Sequence, residues 1–243
     1  MNLLKLPNGR RLAYNHFGGR APAILFLPGY ASDMEGSKAL ALERWARASG
    51  RAFLRFDYGG CGASPGAFAS QSLDDWQGDA IAMIDRLAPD PVVLVGSSMG
   101  GWIMLLAALA RPDRIAGLVG IAAAPDFTDW GFDTDAREAI RRDGRLEEPS
   151  PYGDQPTVTT RAFWEAGQRA LLLDAAIPID CPVRLLHGQA DPDVPFAVSL
   201  RLAERLRSAD VQTLLVKDGD HRLSRPSDIA LLIATLTALL DRP

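Results

Sequence analysis

The chain has little of several things. Its 243 residues include two cysteines, three histidines and, among 26 basic residues, only three lysines (Lys5, Lys38 and Lys217). Cys61 and Cys181 stand far apart with no CxxC or Cys/His spacing, so neither a metal centre nor a disulfide framework is indicated. Free thiols in a reducing compartment are the expectation. Net charge is −4 and the pI is near 5.4, with the arginines scattered. A nucleic-acid surface, which shows as a basic balance, is therefore not expected. The longest apolar runs, around 102–110 and 229–240, are about half the ~20 residues that a membrane span needs. The first residues, Met1 to Pro7, are short and strand-like rather than like a targeting peptide. Together these features predict a cytoplasmic protein.

What is present is ordinary for a globular protein, 47% hydrophobic and 23% charged residues. The length suits one large domain. Leu3–Leu6 and Arg11–Phe17 flank the turn Pro7-Asn8-Gly9 and predict a hairpin. Ala23–Leu27 is a continuous apolar run of the kind buried on both faces of a sheet, and Ala52–Phe56, Val92–Val95, Arg114–Ala122, Cys181–Leu186 and Val211–Val216 read as further strands. Helical patterns separate them: one capped at Ser32 or Asp33 and running to about Ser49, then Leu73–Leu87, Gly101–Ala110, Phe196–Arg207 and Ser224–Leu240. Strands alternating with helices imply a mostly parallel sheet with helices on both faces. The alternation lapses from about 123 to 180, a stretch with Pro149, Pro151 and Pro156 and six aromatics: Phe127, Trp130, Phe132, Tyr152, Phe163 and Trp164. Aromatics in that number require burial. An inserted helical lid is expected there within a single domain of residues 1–243, rather than a disordered linker.

The chain is organised around Val92–Ala108, where an apolar run enters Gly96-Ser97-Ser98-Met99-Gly100 and an Ala/Leu-rich helix follows. That is the strand–turn–helix setting in which G-x-S-x-G presents a nucleophilic serine, here Ser98. The backbone N–H of Met99 then points to where an oxyanion would form. A base and an acid are required in the order Ser, Asp, His. His16 lies in the hairpin, which suits a structural role, and His187 ends a strand just before Gly188, which suits a loop-bracing role rather than catalysis. His221, in Lys217-Asp-Gly-Asp-His221, lies between the last strand and the last helix, where a general base can reach the serine. The loop after the preceding strand offers Asp191 and Asp193, and either qualifies by chemistry.

Four matches resemble the α/β-hydrolase family: Leu27-Pro-Gly-Tyr30, Asp57-Tyr-Gly-Gly-Cys-Gly-Ala-Ser64, Gly96-Ser-Ser-Met-Gly100, and His187-Gly-Gln-Ala-Asp191 with Gly219-Asp-His221. The longer stretches around them are similar to one branch, which holds a mitochondrial palmitoyl-protein thioesterase also described as a mycophenolic acid acyl-glucuronide esterase. In the family's pattern the acid is the aspartate of His-Gly-x-x-Asp, which is Asp191. The resemblance also implies the Tyr30 N–H as second oxyanion donor, with Pro28-Gly29 replacing the His-Gly of the wider superfamily. It implies hydrolysis of carboxylic esters or thioesters through an acyl-enzyme, acyl thioesters and acyl-glucuronides being the candidates, with no cofactor and no metal. The partner is then a small-molecule ester or thioester, or an acylated protein. Met34, Trp102, Trp130 and Trp164 are expected to line an apolar acyl pocket. The alternatives are a small-ester carboxylesterase and, in a different class, a non-catalytic ligand-binding protein on the same fold.

Overall fold

The computed structural model describes residues 1–88, 90–149 and 156–241. Pro151 and Tyr152 lie outside the described residues. The chain begins β1 (Asn2–Lys5), β2 (Arg11–Phe17), β3 (Arg20–Leu27), α1 (Ser37–Ala48), β4 (Arg51–Phe56), α2 (Leu73–Leu87), β5 (Val92–Ser97), α3 (Met99–Ala110) and β6 (Ile115–Ile121). It then leaves the sheet for α4 (Phe127–Trp130), α5 (Thr134–Asp143), a ribbon of β7 (Arg145–Glu148) and β8 (Thr157–Thr160), and α6 (Arg161–Arg169). It returns through β9 (Val183–Gly188), α7 (Ala197–Arg205), β10 (Val211–Val216) and α8 (Pro226–Leu240).

Eight strands form one sheet in the order β1-β2-β4-β3-β5-β6-β9-β10. The pairs β1–β2 and β2–β4 are antiparallel and every later pair is parallel. The period of two along each strand divides the core between the two faces. Leu25, Leu27, Val92 and Leu94 pack with Trp76 and Met83 of α2 and Leu105 of α3. Ile24, Phe26, Val93 and Val95 pack instead with Leu42 of α1 and with Leu232 and Leu236 of α8. Strands buried on both faces account for the unbroken apolar runs. Helix α2 begins at the expected residue, because Ser72 accepts the N–H of Asp75 while Asp75 accepts the N–H of Ser72, a reciprocal cap.

Helix α1 departs from expectation, beginning at Ser37 rather than at a cap on Ser32 or Asp33. Residues 32–36 are committed elsewhere. The Asp33 carboxylate accepts the N–H of Glu35 in a local turn. Met34 is gripped on both sides of its backbone. Asp57 accepts its N–H at 2.7 Å, and the Arg55 guanidinium donates to its carbonyl at 2.9 Å. Arg55, buried on the α1 face of the sheet, also pairs with Glu35 and Glu43. The second oxygen of Asp57 takes the N–H of Ala63 at 2.8 Å. Two loops that leave neighbouring strands are thereby fastened to one buried carboxylate. Asp57→Asn replaces an acceptor by a donor facing one of those N–H groups, so urea unfolding should register a loss of about 2 kcal/mol, the cost of an unsatisfied buried donor.

Candidate active site

The site lies at the carboxyl ends of β3, β5, β9 and β10. There β3 sits between β4 and β5, the switch in strand order at which parallel sheets open a crevice. Ser98 follows β5 and precedes α3 with φ 55° and ψ −123°, a left-handed conformation that is costly for any residue with a side chain. Its neighbours make the turn possible. A Cβ on Gly96 would stand 2.4 Å from the Gly100 carbonyl oxygen, and one on Gly100 would stand 2.1 Å from that of Leu27. Both positions are therefore restricted to glycine by backbone crossing. The Ser98 amide is held by the Ile121 carbonyl at 2.9 Å, and its own carbonyl accepts the N–H groups of Gly101 and Ala124.

Ser98 Oγ is 3.1 Å from His221 Nε2, and His221 Nδ1 is 2.8 Å from Asp191 Oδ2. Because Nδ1 faces a carboxylate it carries the proton, which leaves Nε2 to accept the serine hydroxyl. Asp191 is the aspartate that bonds to the histidine. Asp193 supplies instead its backbone N–H, to Asp191 Oδ1 at 2.8 Å, and Val194 adds a second N–H at 2.9 Å. Burial works to raise the Asp191 pKa, but hydrogen bonds from His187, His221 and the Val194 amide outweigh it and hold the carboxyl well below the usual range. Asp191, Asp193 and His221 are also the one group among the described residues with spacing suited to a cation. Two of the three are already joined by the Nδ1–Oδ2 hydrogen bond, which is the arrangement of an acid and the base it orients.

The loop Pro28–Tyr30 runs directly against the serine. A Cβ on Gly29 would lie 3.3 Å from Ser98 Cβ. Met99 opens α3, where amides have no acceptor within the helix. A cavity of about 520 Å³ covers these groups, and its lining includes Tyr30, Ser98, Met99, Phe127, Trp130 and His221. Of the four side chains expected in an acyl pocket, Trp130 lines it and the other three do not. Met34 is buried beneath its clamped backbone. Trp102 faces inward from α3, with its indole N–H on the Ala170 carbonyl at 3.2 Å. Trp164 gives its N–H to the Thr128 carbonyl at 2.9 Å and carries the Arg141 guanidinium on its ring. Indoles placed to cover a core satisfy their N–H against backbone, and these two do so.

Comparison with known proteins places the chain. Residues 20–140 match the family described as "Serine aminopeptidase, S33". A human relative, "Palmitoyl-protein thioesterase ABHD10, mitochondrial", is 39% identical over 246 residues, covering 100% of this chain and 80% of that protein. The chain is an α/β-hydrolase. It is an ester or thioester hydrolase. The solved mouse structure of "Alpha/beta hydrolase domain-containing protein 10" superposes with a TM-score of 0.91 at 40% identity, over 98% of this chain and 97% of that one. A "Putative hydrolase" from Agrobacterium vitis S4 gives 0.92 at 38% identity, over 99% and 97%.

The relatives correct one expectation. The human, rat and mouse proteins are named mitochondrial, which overturns the cytoplasmic assignment. Free thiols mark a reducing environment without naming the compartment, so they do not discriminate between the two. No helix among the described residues is long and apolar enough to cross a membrane.

His187, expected to brace a loop, is fully buried and touches the Asp191 carboxylate. One residue near the site escaped the sequence reading. Asp126 accepts the N–H groups of Leu172 and Leu173, which pins both ends of the α4–α6 excursion; nothing local in the sequence marks it. His16 lies exposed on β2, remote from these groups.

The glycine crossing is open to test. Gly100→Ala should abolish hydrolysis and lower the melting temperature by many degrees, since its Cβ meets rigid backbone. The matched control is Gly78→Ala in α2, where no atom lies within 4 Å of the added Cβ. It should stabilise by about 0.5–1 kcal/mol, the helix-propensity difference.

Proposed function

We propose that Ser98, His221 and Asp191 are nucleophile, base and acid of acyl transfer to water, acting on medium- and long-chain acyl thioesters. The observation that carries this is the unbroken line from Asp191 Oδ2 through both ring nitrogens of His221 to the Oγ of a strained serine. A serine hydroxyl is a poor nucleophile at its free pKa and needs an adjacent base. His221 Nε2 takes the Oγ proton as Oγ attacks the acyl carbon. The resulting oxyanion meets the amides of Met99 and Tyr30, each worth about 3 kcal/mol when aimed at the developing charge. The positive end of α3 adds to this. His221 then protonates the departing thiolate or alkoxide. In the second half it removes a proton from the water that attacks the acyl-serine, and Ser98 leaves with the proton returned. Asp191 holds the imidazole in the Nδ1–H tautomer and stabilises the imidazolium that forms in each half.

The α4–α6 excursion, within a stretch of about 123–180 of one domain spanning 1–243, serves in this reading as a lid. Phe127 and Trp130 from it line the cavity. The Tyr30 hydroxyl donates to the Val158 carbonyl of β8 at 2.6 Å, and its ring packs on Phe163 of α6. The cavity volume falls within the roughly 300–1,000 Å³ of small-molecule sites. The thioesterase name of the human and mouse relatives supports a thioester, with an acylated protein as one source.

Ser98→Ala should remove both turnover and fluorophosphonate labelling while leaving the melting temperature near wild type; Ser97→Ala should retain most of each. Asp191→Asn should lower kcat by roughly 10⁴, as replacement of a triad carboxylate does, and Asp193→Asn by far less. Each buried methylene is worth about 0.8 kcal/mol, so kcat/KM should climb with acyl length from acetyl upward until the pocket is full. Trp130→Ala should blunt that climb, and Trp164→Ala should act on stability instead. A flat series, or a preference for acetyl, would make the enzyme a small-ester carboxylesterase.

A further inference from the structure

His187 lies at the end of β9 with no exposed surface. Its Nε2 is 3.0 Å from the Val194 carbonyl oxygen and 3.2 Å from Asp191 Oδ2. Both are acceptors only, so Nε2 carries the proton and shares it between them. Nδ1 of the neutral ring accepts the hydroxyl of Ser199, 2.7 Å away on α7. Each ring nitrogen is thus occupied, and the tautomer follows from the partners.

The position of this ring matters because of what it holds. Asp191 and Val194 belong to the loop between β9 and α7, whereas His187 belongs to a strand paired on both sides. Asp191 Oδ1 is fixed by two amides of its own loop, which move with it. Among the described residues, the side chains in contact with Oδ2, the oxygen that faces His221, are His221 itself and His187, and of these His187 is the tie to the sheet. The carboxylate's rotation and the loop's main chain are therefore both referenced to β9 through one N–H group.

We propose that His187 is a positioning residue for the acid: from the rigid end of β9 its Nε2–H holds Asp191 Oδ2 in line with His221 Nδ1. This rests on the triad reading above. It adds a fourth and fifth group to the line, Ser199 and His187, neither of which touches substrate. The shared Nε2–H cannot serve Asp191 without also serving Val194, so carboxylate and loop keep one geometry. A displacement of even 1 Å at a catalytic group can cost on the order of 10²-fold in rate.

The test uses the whole protein and a thioester that it turns over. His187→Leu removes the donor, His187→Gln restores an N–H at the height of Nε2, and Ser199→Ala frees Nδ1. Readouts are kcat and KM separately, the melting temperature, and the downfield proton resonance of the His221–Asp191 hydrogen bond. In His187→Leu, kcat should fall by about 30-fold with KM changed by less than about twofold, the signature of misplacement rather than lost binding. The downfield resonance should move or broaden. His187→Gln should recover most of the kcat and the resonance, which restoration of bulk alone does not do. Ser199→Ala should cost about threefold to tenfold in kcat by releasing the tautomer. A folded His187→Leu with kcat within twofold of wild type overturns the proposal, as does a folded His187→Gln no better than His187→Leu. If His187→Leu does not fold, Ser199→Ala decides: kcat and the resonance both unchanged overturn it. Fluorophosphonate labelling of the wild type at Ser98 separates the two layers, since its failure removes the triad reading itself.

Discussion

Everything at the site depends on how closely two backbones cross beneath Ser98. With Gly96 and Gly100 lacking side chains, α3 leaves β5 so tightly that the Cα of Gly100 faces the carbonyls of Leu27 and Pro28. That crossing forces the serine into its left-handed conformation. It also sets the loop after β3 against the serine and orients the first amides of α3 toward the same point. One steric fact thus positions a hydroxyl and the amides around it. The strain is tolerated because the Ser98 amide and carbonyl are bonded to Ile121 and Ala124 outside the turn, with Gly101 closing it from within.

Polar side chains fix what the sheet alone leaves loose, and each is a buried carboxylate taking backbone amides. Asp57 fastens Met34 and Ala63, Asp126 fastens Leu172 and Leu173, and Asp191 fastens Asp193 and Val194. A charge-assisted bond to an amide is about twice as strong as a neutral one, which suits loops that have no ladder of their own. The two cysteines have no such part. Burial pushes Cys61 up to about 12 and Cys181 to about 11, so both are unreactive thiols in packed surroundings.

The strands and the main helices were legible because their signals are local. Val92–Val95 is an apolar run with one reading, and Leu73–Leu87 carries apolar residues at helical spacing, whereas the cap of Ser72 on Asp75 went unread. That Ser98 and His221 would meet was readable for a similar reason: a glycine-bracketed turn and a histidine in the last loop leave few arrangements. The residues alone did not separate Asp191 from Asp193. The distinction lies in which carboxylate turns toward β9, a three-dimensional fact that the family pattern supplied. The pocket was the least legible part. Trp102 and Trp164 read as contacts for a substrate because a sequence does not say which side of a helix faces the cavity and which faces the core. The delayed start of α1 was hidden likewise, since the grip on Met34 comes from β4 and the loop after it, two residues distant from each other but more than twenty from Met34.

The bonds that lock Ser98 have an implication for how the molecule is made. The acceptor for its amide, Ile121, and one donor to its carbonyl, Ala124, both lie downstream of it, and β9 and the His221 loop lie further still. A nascent chain that has emerged only through α3 carries the turn with the Gly101 amide but without Ile121 and Ala124. It would have to fix the backbone of the elbow against conformational entropy of about 1–2 kcal/mol per residue with part of its hydrogen bonding still missing. The elbow therefore takes its final shape late, after β6 docks beside β5. The β6–β9 pairing joins residues such as Leu118 and Val183 across the whole excursion, which makes it slow to close. The Ser98 hydroxyl gains its contact with His221 last of all, so an incompletely synthesised chain lacks the hydrogen-bonded line from Ser98 to Asp191.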